Sequence, residues 1–166
     1  MSTIITHERG RKSIEDETYE LLYSLVRCVK PLHVIESGAY PGHGTSAILN
    51  GLRKNGFGRL ISYEPKHEYR VELRLKFDTS LLEVRPNDQY DERYCSDFSK
   101  ADLAFIDSSG YGERNGEVEA WLDTAPSRSI LVLHDIYDER WRKTERFREL
   151  SGLELRTPWG VGVYQR

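Results

Sequence analysis

The sequence has little cysteine, no long apolar run and only a small excess of charge, and each shortage removes a class of protein. Its 166 residues include two cysteines, Cys28 and Cys95, too few and too unpatterned for a disulfide scaffold or a zinc site, so both are expected as reduced thiols. No apolar stretch exceeds about four residues, far short of a bilayer span. The formal net charge of −3 gives no general attraction for nucleic acid or an anionic membrane, and neither is an expected partner. The N-terminal stretch Met1 to Arg9 lacks the apolar centre of a signal peptide, which makes the cytoplasm the expected location. What is present, 38% hydrophobic and 31% charged residues, suits one globular domain with a proper core.

The informative stretch runs from Leu32 to Thr45. A short β-branched run, Leu32-His33-Val34-Ile35, meets a carboxylate, Glu36, and then Gly38, Gly42 and Gly44 before Thr45-Ser46-Ala47-Ile48-Leu49 reads as a helix. Strand, glycine-rich turn and helix in that order make a cradle. Glycine lets the backbone turn tightly or a ligand approach, and the helix start offers unpaired N–H groups and a positive dipole end. In an open α/β sheet this turn lies at the carboxyl ends of the strands, where ligands bind.

The rest of the chain supplies an alternating α/β pattern. Residues 1–12 are polar and are expected as a flexible arm, with 13–166 as a single domain. Ser13 opens a helix whose Leu22, Leu25, Val26 and Val29 recur at helical spacing until Pro31 ends it. Leu60 to Tyr63 is a second strand, tipped by Glu64, 26 residues past Gly38. A carboxylate there suits a ribose diol, since two adjacent hydroxyls fit a bidentate acceptor. Tyr69 to Phe77 alternates like a strand, yet a parallel third strand at 81–85 requires a crossover, so a helix is expected. The polar loop Pro86-Asn87-Asp88-Gln89 lies where an adenine ring would sit. Ala101 to Asp107 is a fourth strand ending in a carboxylate, Gly110 to Glu117 a flexible loop, and a helix begins at Val118. Ser129 to Leu133 is a central fifth strand ending in His134-Asp135, followed by a charged helix over 138–150. Two short terminal strands close the chain as an antiparallel hairpin.

Two families claim the glycine turn. Gly38-x-x-x-Gly42-x-Gly44 is similar to the dinucleotide turn of short-chain dehydrogenases, but no tyrosine here has the lysine four residues later that those reductases use. Glu36-x-Gly38-x-Tyr40-x-Gly42 resembles the first motif of class I S-adenosylmethionine-dependent methyltransferases, particularly the small catechol-type O-methyltransferases. Lys30-Pro31, Glu64, Phe105-Ile106-Asp107 and Leu133-His134-Asp135 continue that resemblance in order along nearly the whole chain. It implies a Rossmann-like α/β sandwich around a seven-stranded, mostly parallel sheet, and methyl transfer to an acceptor hydroxyl on a small molecule. An NAD(P)-dependent reductase like the short-chain dehydrogenases and an inactive S-adenosylmethionine-binding module are the alternatives to that activity.

Carried over by residue, the resemblance has Glu36 orienting the methionine amino group, Gly38, Tyr40 and Gly42 lining the methionine and ribose, Glu64 holding the ribose, and Asn87, Asp88 and Gln89 bordering the adenine. A bulky residue at 42 is expected to fill cofactor space. Asp107, His134 and Asp135 are the catalytic candidates. Either a divalent cation such as Mg2+ on Asp107 and Asp135 lowers the acceptor's pKa, or His134 acts as general base with a carboxylate orienting it. The catechol-type Asp-Asn after strand five is Asp135-Ile136 here, preceded by His134, so that one metal ligand is missing or replaced. The acceptor pocket is expected from the N-terminal arm, the 110–116 loop, the region of Tyr137 or a second subunit of a homodimer, with Tyr111, Tyr137 and Trp159 as aromatic lining.

Overall fold

A computed structural model describes residues 14–87, 92–108, 111–137, 146, 150 and 152–166. The elements in chain order are α1 (Asp16–Val29), β1 (His33–Ser37), α2 (His43–Asn55), β2 (Arg59–Tyr63), α3 (His67–Lys76), β3 (Leu82–Arg85), α4 (Glu92–Phe98), β4 (Leu103–Ile106), α5 (Tyr111–Thr124), β5 (Ile130–His134), β6 (Gly152–Leu155) and β7 (Val161–Gln165).

The strands form one seven-stranded sheet in the order β3-β2-β1-β4-β5-β7-β6. β1 to β5 pair in parallel, and β7 runs antiparallel between β5 and β6. The order reverses between β1 and β4, the switch point at which an open sheet leaves a crevice.

Side chains alternate across the sheet as the pleat dictates. Val34, Leu60, Leu103, Phe105 and Val132 face one core with Leu22, Val26, Ile48 and Leu52 of the first two helices. Ile35, Ile61, Ala104, Ile106, Leu131 and Leu133 face the other, against Phe98, Val118 and Trp121 of α4 and α5. Both faces are covered, which is why β4 and the Ile130–Leu133 part of β5 are apolar. Burial of each such side chain is worth about 1.5–3 kcal/mol, and the two cores fix the strand ends that carry the polar groups.

Residues 69–76, strand-like in their alternation, are helical within α3. The need for a crossover overrides the local pattern, and only Leu73 of that helix is buried. The stretch expected as a loop from Gly110 is different: α5 already begins at Tyr111, two turns before Val118. α4 was not anticipated from the sequence. The N-terminal arm and most of the 138–150 helix lie outside the described residues, and among the described residues no helix is long and apolar enough to cross a membrane.

Candidate active site

Two constellations of polar side chains stand at the carboxyl ends of the parallel strands. The first surrounds the β1 turn. Gly38 has φ +86°, and a Cβ there would lie 2.4 Å from the Asp107 carbonyl oxygen and 2.8 Å from the Ser108 nitrogen. Only glycine lets the turn pass that close to β4. Gly42, at φ +96°, is the N-cap of α2, but its Cα faces the Phe77 ring, 2.7 Å from a would-be Cβ. A larger residue at 42 therefore meets α3, not the open side of the turn.

Glu36 is fully buried in β1. Its Oε2 accepts from the Thr45 hydroxyl at 2.7 Å and the Ser62 hydroxyl at 2.6 Å, while Oε1 has no hydrogen-bond partner among the described residues. Burial pushes its pKa up to about 8, against the opposing effect of the two hydroxyl donors. Glu64, also buried, accepts from the backbone nitrogens of Lys66 at 3.0 Å and Tyr40 at 3.3 Å, so the end of β2 grips the β1 turn. The Tyr40 ring stacks on Tyr69 of α3 with centroids 3.6 Å apart.

A third carboxylate, unforeseen in the sequence, lies behind this turn. Glu117 of α5 is 1% exposed and accepts from Ser37 at 2.5 Å, Ser108 at 2.6 Å and the Asn87 amide at 3.3 Å. It thereby ties together the ends of β1, β3 and β4. Burial raises its pKa, while the same hydroxyl and amide donors oppose the rise. Among the described residues, the buried Asn87 Oδ1 beside this group has no hydrogen-bond partner. Asp88 and Gln89 lie outside the described residues.

The second constellation joins β4 to β5. Here the structure brings together all three catalytic candidates: His134 Nδ1 lies 2.9 Å from Asp107 Oδ1 and 3.2 Å from Asp135 Oδ1. His134 is buried, whereas the Asp107 and Asp135 side chains are 20% and 37% exposed. Asp135 takes a positive φ of 56°, an uncommon state for a non-glycine residue. That turn brings its carboxylate back over the strand end.

Two charged residues missed in the sequence complete this cluster. Glu15, just before α1, lies 2.7 Å from His134 Nε2 through Oε2, and its Oε1 accepts from the Trp159 nitrogen at 2.7 Å and the Thr157 hydroxyl at 3.2 Å. Burial works to raise the Glu15 pKa, but the His134 contact and the other donors outweigh it and hold it near about 2. Burial likewise works to lower His134, but Asp107, Asp135 and Glu15 raise it to about 9. Arg114 of α5 is 3% exposed and has Nη2 3.8 Å from Asp107 and 3.6 Å from Asp135.

This environment bears on the expected role of His134 as general base. A free base needs a nitrogen open to the proton it takes, and both imidazole nitrogens already face carboxylates. The helix register carried the signal for two of the missed residues: Arg114 and Glu117 share the buried face of α5 with Val118 and Trp121, at spacings of three, four and seven from Arg114.

A family model described as a methyltransferase domain matches residues 35–136. Among solved structures, the O-methyltransferase from Bacillus cereus in complex with SAH is 16% identical, with a TM-score of 0.73 over 93% of this chain and 83% of that one. The O-methyltransferase TomG from Streptomyces achromogenes, in complex with SAM and involved in tomaymycin synthesis, is 14% identical, with a TM-score of 0.72 over 92% and 81%. SAH-bound PaMTH1 of Podospora anserina is 15% identical, with a TM-score of 0.72 over 92% and 79%. No curated protein matches the sequence. The family match spans more than half the chain, from β1 through the His134-Asp135 turn, and the sheet order is that of the same architecture; the chain thus belongs to this methyltransferase family, as a class I, S-adenosylmethionine-dependent enzyme.

Proposed function

We propose that the protein transfers the methyl group of S-adenosylmethionine to a hydroxyl of a small molecule. The observation that carries this reading is the pairing of a glycine cradle at β1 with two partly exposed carboxylates, Asp107 and Asp135, fixed next to it at the ends of β4 and β5. The known binding of SAM or SAH by relatives of the same fold supports the donor.

The residues present fit that donor. A buried Glu36 oxygen without a partner sits under the turn, where the cationic methionine end would favour its ionised form. Glu64, at the tip of β2, presents its carboxylate to the ribose side. Asn87 borders the adenine side, and its partnerless Oδ1 is an acceptor suited to an amino group. Gly38 and Gly42 shape the cradle through the backbone, and Tyr40 through its ring on Tyr69 and its nitrogen on Glu64.

S-adenosylmethionine, when bound, supplies an electrophilic methyl, so the protein chiefly aligns the acceptor and manages one proton. Asp135 has the most accessible carboxylate of the cluster and is the group positioned to accept the hydroxyl proton. Asp107 and His134 hold it in place. The exposed rings of Tyr137 and Trp159, following Asp135 in the chain and adjoining Glu15 respectively, offer an apolar rest for the acceptor.

Calorimetric titration with S-adenosylmethionine, S-adenosylhomocysteine and NADPH tests the donor. Binding of the first two alone is expected, and binding of NADPH alone would overturn the reading. Transfer of radiolabelled methyl to a panel of phenols and aliphatic alcohols, with matched amines as controls, then tests the acceptor class. Labelling confined to amines would exclude hydroxyl transfer.

A further inference from the structure

The catechol-type resemblance implies a divalent cation, and Asp107, His134 and Asp135 do offer ligand atoms within 4.8 Å of one another. Their surroundings do not fit one. His134 Nδ1 faces Asp107 and Asp135, and Nε2 faces Glu15. Carboxylates accept hydrogen bonds, so an imidazole between them serves as donor on both sides rather than turning a lone pair to an ion.

The position behind the two aspartates is also taken. Arg114 reaches out of α5 and donates from Nε to the Ser108 carbonyl at 2.9 Å and from Nη1 to the His134 carbonyl at 3.1 Å; its Nη2 also donates to the Ser108 carbonyl. Those carbonyls close β4 and β5, so the planar fork is clamped across the two strand ends. A guanidinium has its donors in a rigid plane and does not lose its charge. Clamped this way, it presents Nη2 to both aspartates at ion-pair distance. A metal ion bridging Asp107 and Asp135 would bring two more positive charges into direct repulsion with a cation that has no route of escape at 3% exposure.

We propose that Arg114 is the built-in cation of the acceptor side, so that this methyltransferase positions Asp107 and Asp135 without a divalent metal. Arg114 is a positioning residue: it acts through the two carboxylates and holds their spacing and orientation. The inference builds on the assignment of Asp107 and Asp135 to the acceptor side of a methyltransferase site.

The test is electron paramagnetic resonance of Mn2+ titrated into the purified full chain, with and without saturating S-adenosylhomocysteine. Wild-type protein is expected to leave the free-ion signal unchanged up to about 1 mM, the weak end of protein-held divalent ions. Arg114→Met, which removes the charge and keeps an unbranched apolar stem, is expected to gain Mn2+ affinity by at least about tenfold, since roughly that factor follows from each 1.4 kcal/mol of relieved repulsion. Adding Asp135→Asn should abolish the gain. Wild-type binding of one Mn2+ that is lost on Asp135→Asn would overturn the proposal, and this measurement stands whether or not the Arg114 variant folds. An Arg114→Met protein that binds S-adenosylhomocysteine normally yet gains no Mn2+ would overturn the role of Arg114. Absence of S-adenosylhomocysteine binding in the wild type would instead count against the donor assignment and leave the Mn2+ result readable by itself.

Discussion

The two sides of the cleft solve opposite electrostatic problems. On the proposed cofactor side, Glu36 is buried with hydroxyl donors and, among the described residues, no cation partner, and its pKa rises to about 8. On the acceptor side, Asp107, Asp135 and Glu15 meet His134 and Arg114, so every carboxylate lies within ion-pair distance of a positive group. Among the described residues Glu36 lacks a positive partner, whereas the His134 cluster carries its own. The first is suited to wait for a cationic ligand; the second is suited to hold its geometry whether or not a ligand is present.

The largest effect expected is at the seam between the two sides. Gly38→Ala places a Cβ 2.4 Å from the Asp107 carbonyl oxygen at a positive φ, and should destabilise the fold by more than about 3 kcal/mol. Denaturant unfolding measures this, and wild-type stability in that variant would show that the turn and β4 are not rigidly opposed.

Next comes pH. His134, raised from 6.5 to about 9, contributes stability that is fully present below 6.5 and lost as the pH rises through 9. Glu36, whose pKa is raised from 4.5 to about 8, makes folding cheapest below 4.5, and its cost grows between 4.5 and 8 and levels off above 8. Both act in the same direction, so the melting temperature should fall by about 10 °C between pH 7 and pH 9.5. Glu36→Gln should flatten the part below pH 8. An unchanged slope in that variant would leave Glu36 out of the titration.

Glu15→Gln should cost about 2 kcal/mol, since it weakens a buried ion pair but keeps hydrogen-bonding atoms. The His134 pKa should drop below about 9 in the same variant, as followed by imidazole proton shifts. The smallest effect expected is that of Glu64→Ala, a roughly tenfold loss of S-adenosylhomocysteine affinity, about 1.4 kcal/mol, with about 1 kcal/mol of stability lost as the Lys66 and Tyr40 nitrogens lose their acceptor. Calorimetry would detect it, and undiminished affinity would remove Glu64 from the cofactor side.

How much of this was legible in the sequence follows from the range of the interactions. Strands with an acid at the tip are short local patterns, and Glu36, Glu64, Asp107 and Asp135 are all readable from them. Residues 69–76 were settled by topology, because a parallel β2–β3 pair leaves no alternative to a crossover. α5 was misjudged in its first two turns because Gly112 and Gly116 are poor helix formers, and tertiary contacts through Arg114 and Glu117 outweigh that cost. Glu15, Arg114 and Glu117 were not visible as site residues because their partners lie 119, 20 and 80 positions away, at His134, His134 and Ser37. A polar residue on a helix has no local sign of such a partner unless its register places it on the buried face.

The placement of Glu15 also bears on how the enzyme comes into being on the ribosome. Its carboxylate touches His134 at the end of β5 and the backbone between β6 and β7 at Trp159, so it waits for nearly the entire chain before its contacts exist. The β1 turn, by contrast, needs only the first two strands and the helix between them to bring Glu36 to Thr45 and Ser62. A nascent chain can thus shape the donor cradle early while the acceptor cluster stays unassembled. The contacts of Glu15 with His134 and Trp159 form only once the chain has been made through β5 and the turn before β7.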